Sequence, residues 1–314
     1  MALKRVGIIG VNHVGAHVAN ALLYQSLVDE LYLCDTNTTL CTAQVNDLVD
    51  AMSFYPRSAK VVDCADRYEE LAGCDVIVNA AGHVAAAAGN RDGELRVTTD
   101  EAKKFAKRIV AAGFAGVFVS ISNPNDVVTA EIQGLTGYDP AKVIGSGTTL
   151  DSARLRHALA SATGFDQRSI NAWMLGEHGF SEFACWSHIT FGILTLPEVE
   201  KLTGVTLDRG TFEEAAAKGG FVTYRGKQCT EYSIANSATE IIKAVLCDAH
   251  IITPVSTYID GVYGESGLYA SLPCEIGANG IEKVLVPELT DDEIERWHAT
   301  CAHISANIAQ IRCW

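Results

Sequence analysis

No stretch of this 314-residue chain approaches the ~18 consecutive apolar residues of a membrane-spanning helix, which excludes an α-helical membrane protein. Proline is sparse at 7 residues, charged residues are slightly few at 20%, and no run of lysine or arginine occurs anywhere. With 24 basic against 38 acidic residues the net charge is −14. Nucleic acid and anionic membrane surfaces are bound through concentrated positive charge, so neither is an expected partner. The ten cysteines never form C-x-x-C. Most occupy apolar-pattern positions, where a thiol serves as a small hydrophobe, and a disulfide framework is not expected. The chain opens directly on strand-like Leu3 to Ile9, too short an apolar run for a signal peptide, so a reduced, cytoplasmic protein is the expectation.

What is present is ordinary globular material, 48% hydrophobic with 27 glycines. At roughly 150 residues per domain the length suggests two domains, enough to bury a core without staples. The first half alternates short β-branched runs with helical patterns. Val6–Ile9, Leu31–Leu33, Val61–Val62, Val76–Val78, Val117–Ile121 and Val143–Ile144 show no polar alternation and read as parallel strands buried on both faces. This β-α-β-α order predicts an α/β fold with a Rossmann-type doubly wound parallel sheet over residues 1–147. From about Thr148 the helices lengthen, and the strand candidates Ser187–Ile193 and Val255–Tyr258 look antiparallel or mixed, which predicts an α+β substrate domain over 148–314. Near the C-terminus, Thr290 to Glu293 reads as a capping box. It is followed by Ile294, Trp297, Cys301, Ile304, Ile308 and Ile311 on one helical stripe, a core or interface face.

Gly7-Ile8-Ile9-Gly10-Val11-Asn12-His13-Val14-Gly15 ends the first strand and opens a helix. A helix N-terminus there offers unpaired N–H groups and a positive dipole to a pyrophosphate. Gly10 and Gly15 fit G-x-G-x-x-G, while Asn12 stands at the middle glycine. Alone the motif equally describes a glycine-containing strand-to-helix turn. Asp35, 20 residues beyond Gly15 at the end of the second strand, strengthens it. A carboxylate there can take both ribose hydroxyls and repels a 2′-phosphate, which favours NAD over NADP. Its plainer alternative is a helix N-cap, a role Asn37 or Thr38 could also fill.

Gly176-Glu177-His178-Gly179 follows the run Ile170–Leu175. A histidine between glycines at a strand end is poor core filler, and of the nine histidines His178 is the acid/base candidate, since its ordinary titration range suits proton transfer in both directions. Asp151, three residues before Arg154 on an expected helix, would orient the imidazole while Arg154 meets a carboxylate through two parallel hydrogen bonds. An ordinary surface ion pair is the competing reading. Ser122-Asn123-Pro124-Asn125-Asp126 follows another strand's C-terminal end, where open α/β sheets bind ligands. Asn123 could contact nicotinamide or substrate, or simply form the turn.

The Gly-rich turn, Asp35, a loop with arginine, Ser122-Asn123-Pro124, Leu150-Asp151-Ser152-Ala153-Arg154 and Gly176-Glu177-His178-Gly179 occur in this order. Together they resemble the lactate/malate dehydrogenase family of NAD-dependent L-2-hydroxyacid dehydrogenases, nearly end to end. The resemblance implies His178 as proton donor and acceptor, Asp151 as its partner, Arg154 as carboxylate clamp, and Arg91 closing over the substrate and polarising its carbonyl. It implies NAD held by Gly10, Asn12, Val14, Gly15, Asp35, Ala81, Gly82 and Asn123, no metal, and a homo-oligomer, dimer or tetramer.

In that family the early part of the mobile loop, the segment near Thr230 and the segment around Ile234 face the substrate's side chain. Malate enzymes carry an arginine in the loop and lactate enzymes a glutamine. Here the loop Gly82 to Arg91 has only alanines, Ala85 and Ala86 among them. An unpaired second carboxylate costs several kcal/mol, whereas three or four extra buried carbons gain ~2–3 kcal/mol at ~0.8 per methylene. The expected substrate is therefore a 2-oxo acid with a bulky apolar side chain, and the loop, with Gly226-Lys227 before Thr230, most resembles the L-2-hydroxyisocaproate dehydrogenases. An L-lactate dehydrogenase is the nearer alternative. A catalytically idle nucleotide-binding or assembly protein is the alternative from another class, motivated by Asn12 and by Phe180 after Gly179.

Overall fold

The computed structural model describes residues 3–82 and 94–311. The loop residues 83–93, which include Ala85, Ala86 and Arg91, lie outside the described residues.

In the first half the strands are β1 (Arg5–Ile9), β2 (Glu30–Cys34), β3 (Lys60–Ala65), β4 (Val76–Asn79), β5 (Val117–Ser120) and β6 (Val143–Gly145). Each of the six predicted runs falls on one of them. The helices between them are α1 (His13–Tyr24), α2 (Thr38–Ala51), α3 (Leu95–Ala111) and α4 (Asn125–Thr136). All neighbouring pairs among these strands are parallel, in the order β3-β2-β1-β4-β5-β6. β4 and β5 are buried along their whole length, and β1 at all but its first residue, because helices cover both faces. The chain reverses direction across the sheet between β1 and β4. In such a sheet that reversal opens a crevice at the strands' carboxyl ends, which fixes where a ligand can sit.

The second half contains α5 (Thr149–Thr163), the short strands β7 (Ile170–Asn171), β8 (Met174–Leu175), β9 (Phe183–Ala184), β10 (Thr190–Phe191) and β11 (Leu194–Thr195), then α6 (Leu196–Thr203), α7 (Arg209–Lys227) and α8 (Tyr232–Cys247). It ends with β12 (Ile251–Val262), β13 (Glu265–Gly277), β14 (Gly280–Val284) and α9 (Asp291–Ile311). Two expectations need correction. The run Ile170–Leu175 is two short strands in different sheets, and Ser187–Ile193 contains only a two-residue strand after a 3-10 turn at Trp186–His188. Val255–Tyr258 lies inside a long antiparallel hairpin that joins the parallel sheet through Ser256 opposite Gly145, giving nine continuous strands.

Thr290 and Glu293 form the expected capping box: the Glu293 carboxylate accepts from the Thr290 N–H at 2.9 Å, and the Glu293 N–H donates back to the Thr290 hydroxyl at 3.4 Å. The stripe behind it packs Trp297, Cys301, Ile304, Ile308 and Ile311 against Leu175, Phe183 and β13, so this face is core, with Ile294 only half-buried. The nine described cysteines are all free thiols. Among the described residues no helix is long and apolar enough to cross a membrane.

Candidate active site

The cofactor end is built almost entirely from backbone. Gly10 sits at φ +83°, and a Cβ there would lie 2.8 Å from the backbone of Ala80 and Ala81, so the turns after β1 and β4 pack main chain to main chain. A Cβ on Gly15 would collide with the Gly10 carbonyl oxygen. Two glycines thus let α1 begin against the sheet. Asn12 is its N-cap residue but its side chain makes no capping bond to the first-turn N–H groups. Asp35 lies one residue beyond β2. One of its oxygens accepts from the Val11 N–H at 2.9 Å and the other from the Asn37 N–H at 2.8 Å, while Asn37 is the N-cap of α2. The carboxylate therefore ties the turn to the second strand, and each oxygen keeps a lone pair for a hydroxyl.

A cavity of about 800 Å³ opens at the switch point between β1 and β4. Asn12, Val14, Gly15, Ala81, Gly82 and Asn123 line one end, and Arg154, His178, Thr230 and Ile234 the other. The sequence motifs, up to 222 residues apart, thus meet in one space. Leu150, Ile121, Phe221 and Tyr224 add apolar wall, and Arg225, exposed, lies on its rim.

At the chemical end, His178 Nδ1 lies 2.5 Å from one Asp151 oxygen, and Arg154 Nη1 donates to the other at 2.7 Å. Asp151 is fully buried and Arg154 largely so, which removes the surface ion-pair reading. One carboxylate thus faces two cationic or cation-forming groups. With Nδ1 donating to Asp151, Nε2 is the ring nitrogen available to a ligand.

The backbone around His178 is held from three sides. A Cβ on Gly176, at φ +89°, would strike Thr300, and one on Gly179 would come 2.5 Å from the Glu177 carboxyl. Glu177 accepts from the Ser181 hydroxyl at 2.5 Å, and its N–H donates to Thr300 on α9 at 2.9 Å. The His178 N–H donates to Asp126 at 2.9 Å, whose other oxygen accepts from Ser256 at 2.5 Å. Burial pushes the Asp126 carboxyl up to about 7, against the opposing pull of those two donors.

Sequence reading missed Asp126 as a support for His178, although it stands inside the quoted Ser122–Asp126 segment. It also missed Glu182, whose carboxylate lies within 4.8 Å of the His178 and Asp151 ligand atoms, and the α7 residues Phe221 and Tyr224. Glu182, four residues past His178, gives no spacing signal, and on α7 Phe221 and Tyr224 lie among charged residues such as Glu214 and Arg225, on a helix that fully buries only Ala216. Phe180 stacks on Phe221 with ring centroids 5.6 Å apart, which explains an exposed aromatic at that position.

The family model described as lactate/malate dehydrogenase, NAD binding domain, matches residues 4–145, and that described as lactate/malate dehydrogenase, alpha/beta C-terminal domain, matches 148–312. An L-lactate dehydrogenase of Fusobacterium nucleatum is 36% identical over 304 residues, covering 95% of this chain and 94% of that protein. The minor L-lactate dehydrogenase of Enterococcus mundtii in its ligand-bound crystal form superposes with a TM-score of 0.93 at 30% identity over 99% of both chains. A malate dehydrogenase of Cryptosporidium parvum gives 0.94 at 26% identity over the full length of both. Motif order, switch-point cavity and these likenesses agree, and the chain belongs to the lactate/malate dehydrogenase family of NAD-dependent oxidoreductases acting on 2-hydroxy acids.

Proposed function

We propose that the protein reversibly reduces 2-oxo acids with bulky apolar side chains to L-2-hydroxy acids. The observation that carries this reading is the composition of the chemical end: one buried His–Asp–Arg constellation beside an apolar wall of Leu150, Phe221 and Ile234. NAD fits the cradle because glycine backbone and an uncapped helix N-terminus line it, and when bound it supplies the hydride acceptor or donor.

In this reading Arg154 grips the substrate carboxylate with the guanidinium edge that Asp151 leaves open, a planar fork matching a planar anion. His178 gives its Nε2 proton to the oxygen as a carbonyl becomes a hydroxyl, and takes it back in the other direction. Asp151 fixes the ring and offsets the imidazolium charge. Asn123 orients the substrate or nicotinamide edge, and Arg91 polarises the carbonyl from the loop that also carries Ala85 and Ala86. Gly10, Asn12, Val14, Gly15, Asp35, Ala81 and Gly82 hold the cofactor; Thr230 and Ile234 meet the substrate's side chain. The active unit is read as a homo-oligomer of soluble, cytoplasmic chains, which sedimentation of the purified protein tests.

A second reading, L-lactate dehydrogenase, is favoured by the names of the relatives. A panel of 2-oxo acids with NADH separates the two. We expect 2-oxoisocaproate to exceed pyruvate in kcat/KM and oxaloacetate to be the poorest; pyruvate in first place would return the assignment to lactate, and oxaloacetate in first place would remove the apolar-wall argument.

A further inference from the structure

Among the described residues, two clusters bring three metal-ligating side chains together: Asp151–His178–Glu182, and His13–Cys229–Glu231. The first belongs to the catalytic pair, and its Asp151 is already shared between His178 and Arg154. The second has no part in the reaction described above.

His13 is the first residue of α1, and Cys229 and Glu231 lie in the short connection between α7 and α8. Their donor atoms, an imidazole nitrogen, a thiol sulfur and a carboxylate oxygen, all lie within 4.8 Å of one another. His13 Nδ1 is 2.8 Å from Glu231 Oε1, while Lys227 holds the other Glu231 oxygen at 2.5 Å and so fixes the carboxylate for one-oxygen ligation. Cys229 is buried and His13 is half exposed, and both line the cavity. Bond lengths of about 2.3 Å to sulfur and about 2.0–2.2 Å to nitrogen and oxygen put tetrahedral donors roughly 3.5 Å apart. The His13–Glu231 hydrogen bond of 2.8 Å would open slightly to admit the ion, while the other separations already lie within 4.8 Å.

We propose that His13, Cys229 and Glu231 bind a borderline-soft divalent cation of the Zn²⁺ class in the wall of the cavity, with a fourth position open to solvent. The donor chemistry selects the class. A thiolate with an imidazole prefers Zn²⁺ or Co²⁺ over Mg²⁺ or Ca²⁺, which take oxygen ligands. As the sulfur–metal bond forms, the Cys229 thiol proton passes to solvent, and His13 coordinates through Nδ1 with its proton on Nε2. No electron transfer is involved. The Lys227 ammonium beside Glu231 opposes the incoming charge, and one open position keeps the ion exchangeable.

Titration of the cofactor-free full-length protein with Co²⁺ tests this. One equivalent is expected to bring up a thiolate-to-cobalt charge-transfer band that Zn²⁺ displaces and Mg²⁺ does not. Cys229→Ser should remove the band, and His13→Gln should weaken binding by about 10–100-fold, at least the cost of losing an outer-shell partner. Cys247→Ser, at the exposed thiol, should leave the band intact. A band that survives in Cys229→Ser, or vanishes in Cys247→Ser, would overturn the proposal, as would failure to saturate at one equivalent. Should Cys229→Ser fail to fold, His13→Gln, at a half-exposed side chain, decides; unchanged affinity there also refutes the site.

Discussion

The two ends of the cavity are made differently. The cofactor end is main chain: Gly10, Gly15 and the turn at Ala80–Ala81 meet backbone to backbone, and Asp35 bonds two backbone amides. The chemical end is largely side chain: Asp151 from α5 holds the His178 ring, while Asp126 from α4, bonded to Ser256 of β12 130 positions away, holds the His178 backbone N–H. Backbone shape tolerates no added atom, whereas a side-chain network tolerates conservative replacement but not loss of a partner.

The largest effect expected from this contrast is at the chemical end. His178→Ala should lower kcat by about 10²–10⁴-fold, the usual contribution of acid–base catalysis, while leaving NADH affinity, measured by fluorescence titration, nearly unchanged. Equal loss of both would mean the two ends are not separable. Arg154→Lys comes next: replacing a planar fork by a point charge should raise KM for the oxo acid by about 10–100-fold, taking charge-assisted hydrogen bonds at ~1.5–3 kcal/mol, with NADH binding retained.

At the cofactor end the converse is expected. Gly15→Ala pushes a methyl into the Gly10 carbonyl and should weaken NADH while lowering stability by about 1–3 kcal/mol, read by urea unfolding. Tight NADH binding by this variant would show that α1 can shift without consequence.

The last effect, seen only as a change with pH, concerns the support. Asp126 titrates at about 7 when folded against an ordinary 3.8, so the folded state holds its proton more tightly. Its contribution is complete below pH 3.8 and is lost as pH rises to about 7, since the folded chain binds more protons across that window. Asp126→Asn cannot ionise, and the difference in unfolding free energy, wild type minus variant, should fall with pH across that window and flatten above it. A flat difference throughout would mean that Asp126 is ionised in the fold at all these values.

The asymmetry also explains what could be read in advance. All six parallel strands of the first half were legible, because a strand buried on both faces is an apolar run whatever surrounds it. Asp151 and Arg154 could be paired by their helical spacing, and His178 by its flanking glycines. Their burial could not, since the same i,i+3 pair is more often a surface contact. Asp126, Glu182 and the Phe180–Phe221 stack were invisible, because each depends on a neighbour distant in sequence. Ile170–Leu175 failed as one strand for the same reason: its halves pair with different partners.

By itself the sequence determined the β-α-β order, the glycine turn, the acid after the second strand and which side chains were candidates for acid–base and clamp roles, because these depend on local sterics and on chemistry carried by single side chains. Tertiary structure decided that the hairpin β12–β13 extends the parallel sheet, that Asp126 and Ser256 brace His178, and that α7 walls the cavity. Those outcomes rest on contacts between segments whose spacing along the chain carries no period, and only close packing brings them within hydrogen-bond reach.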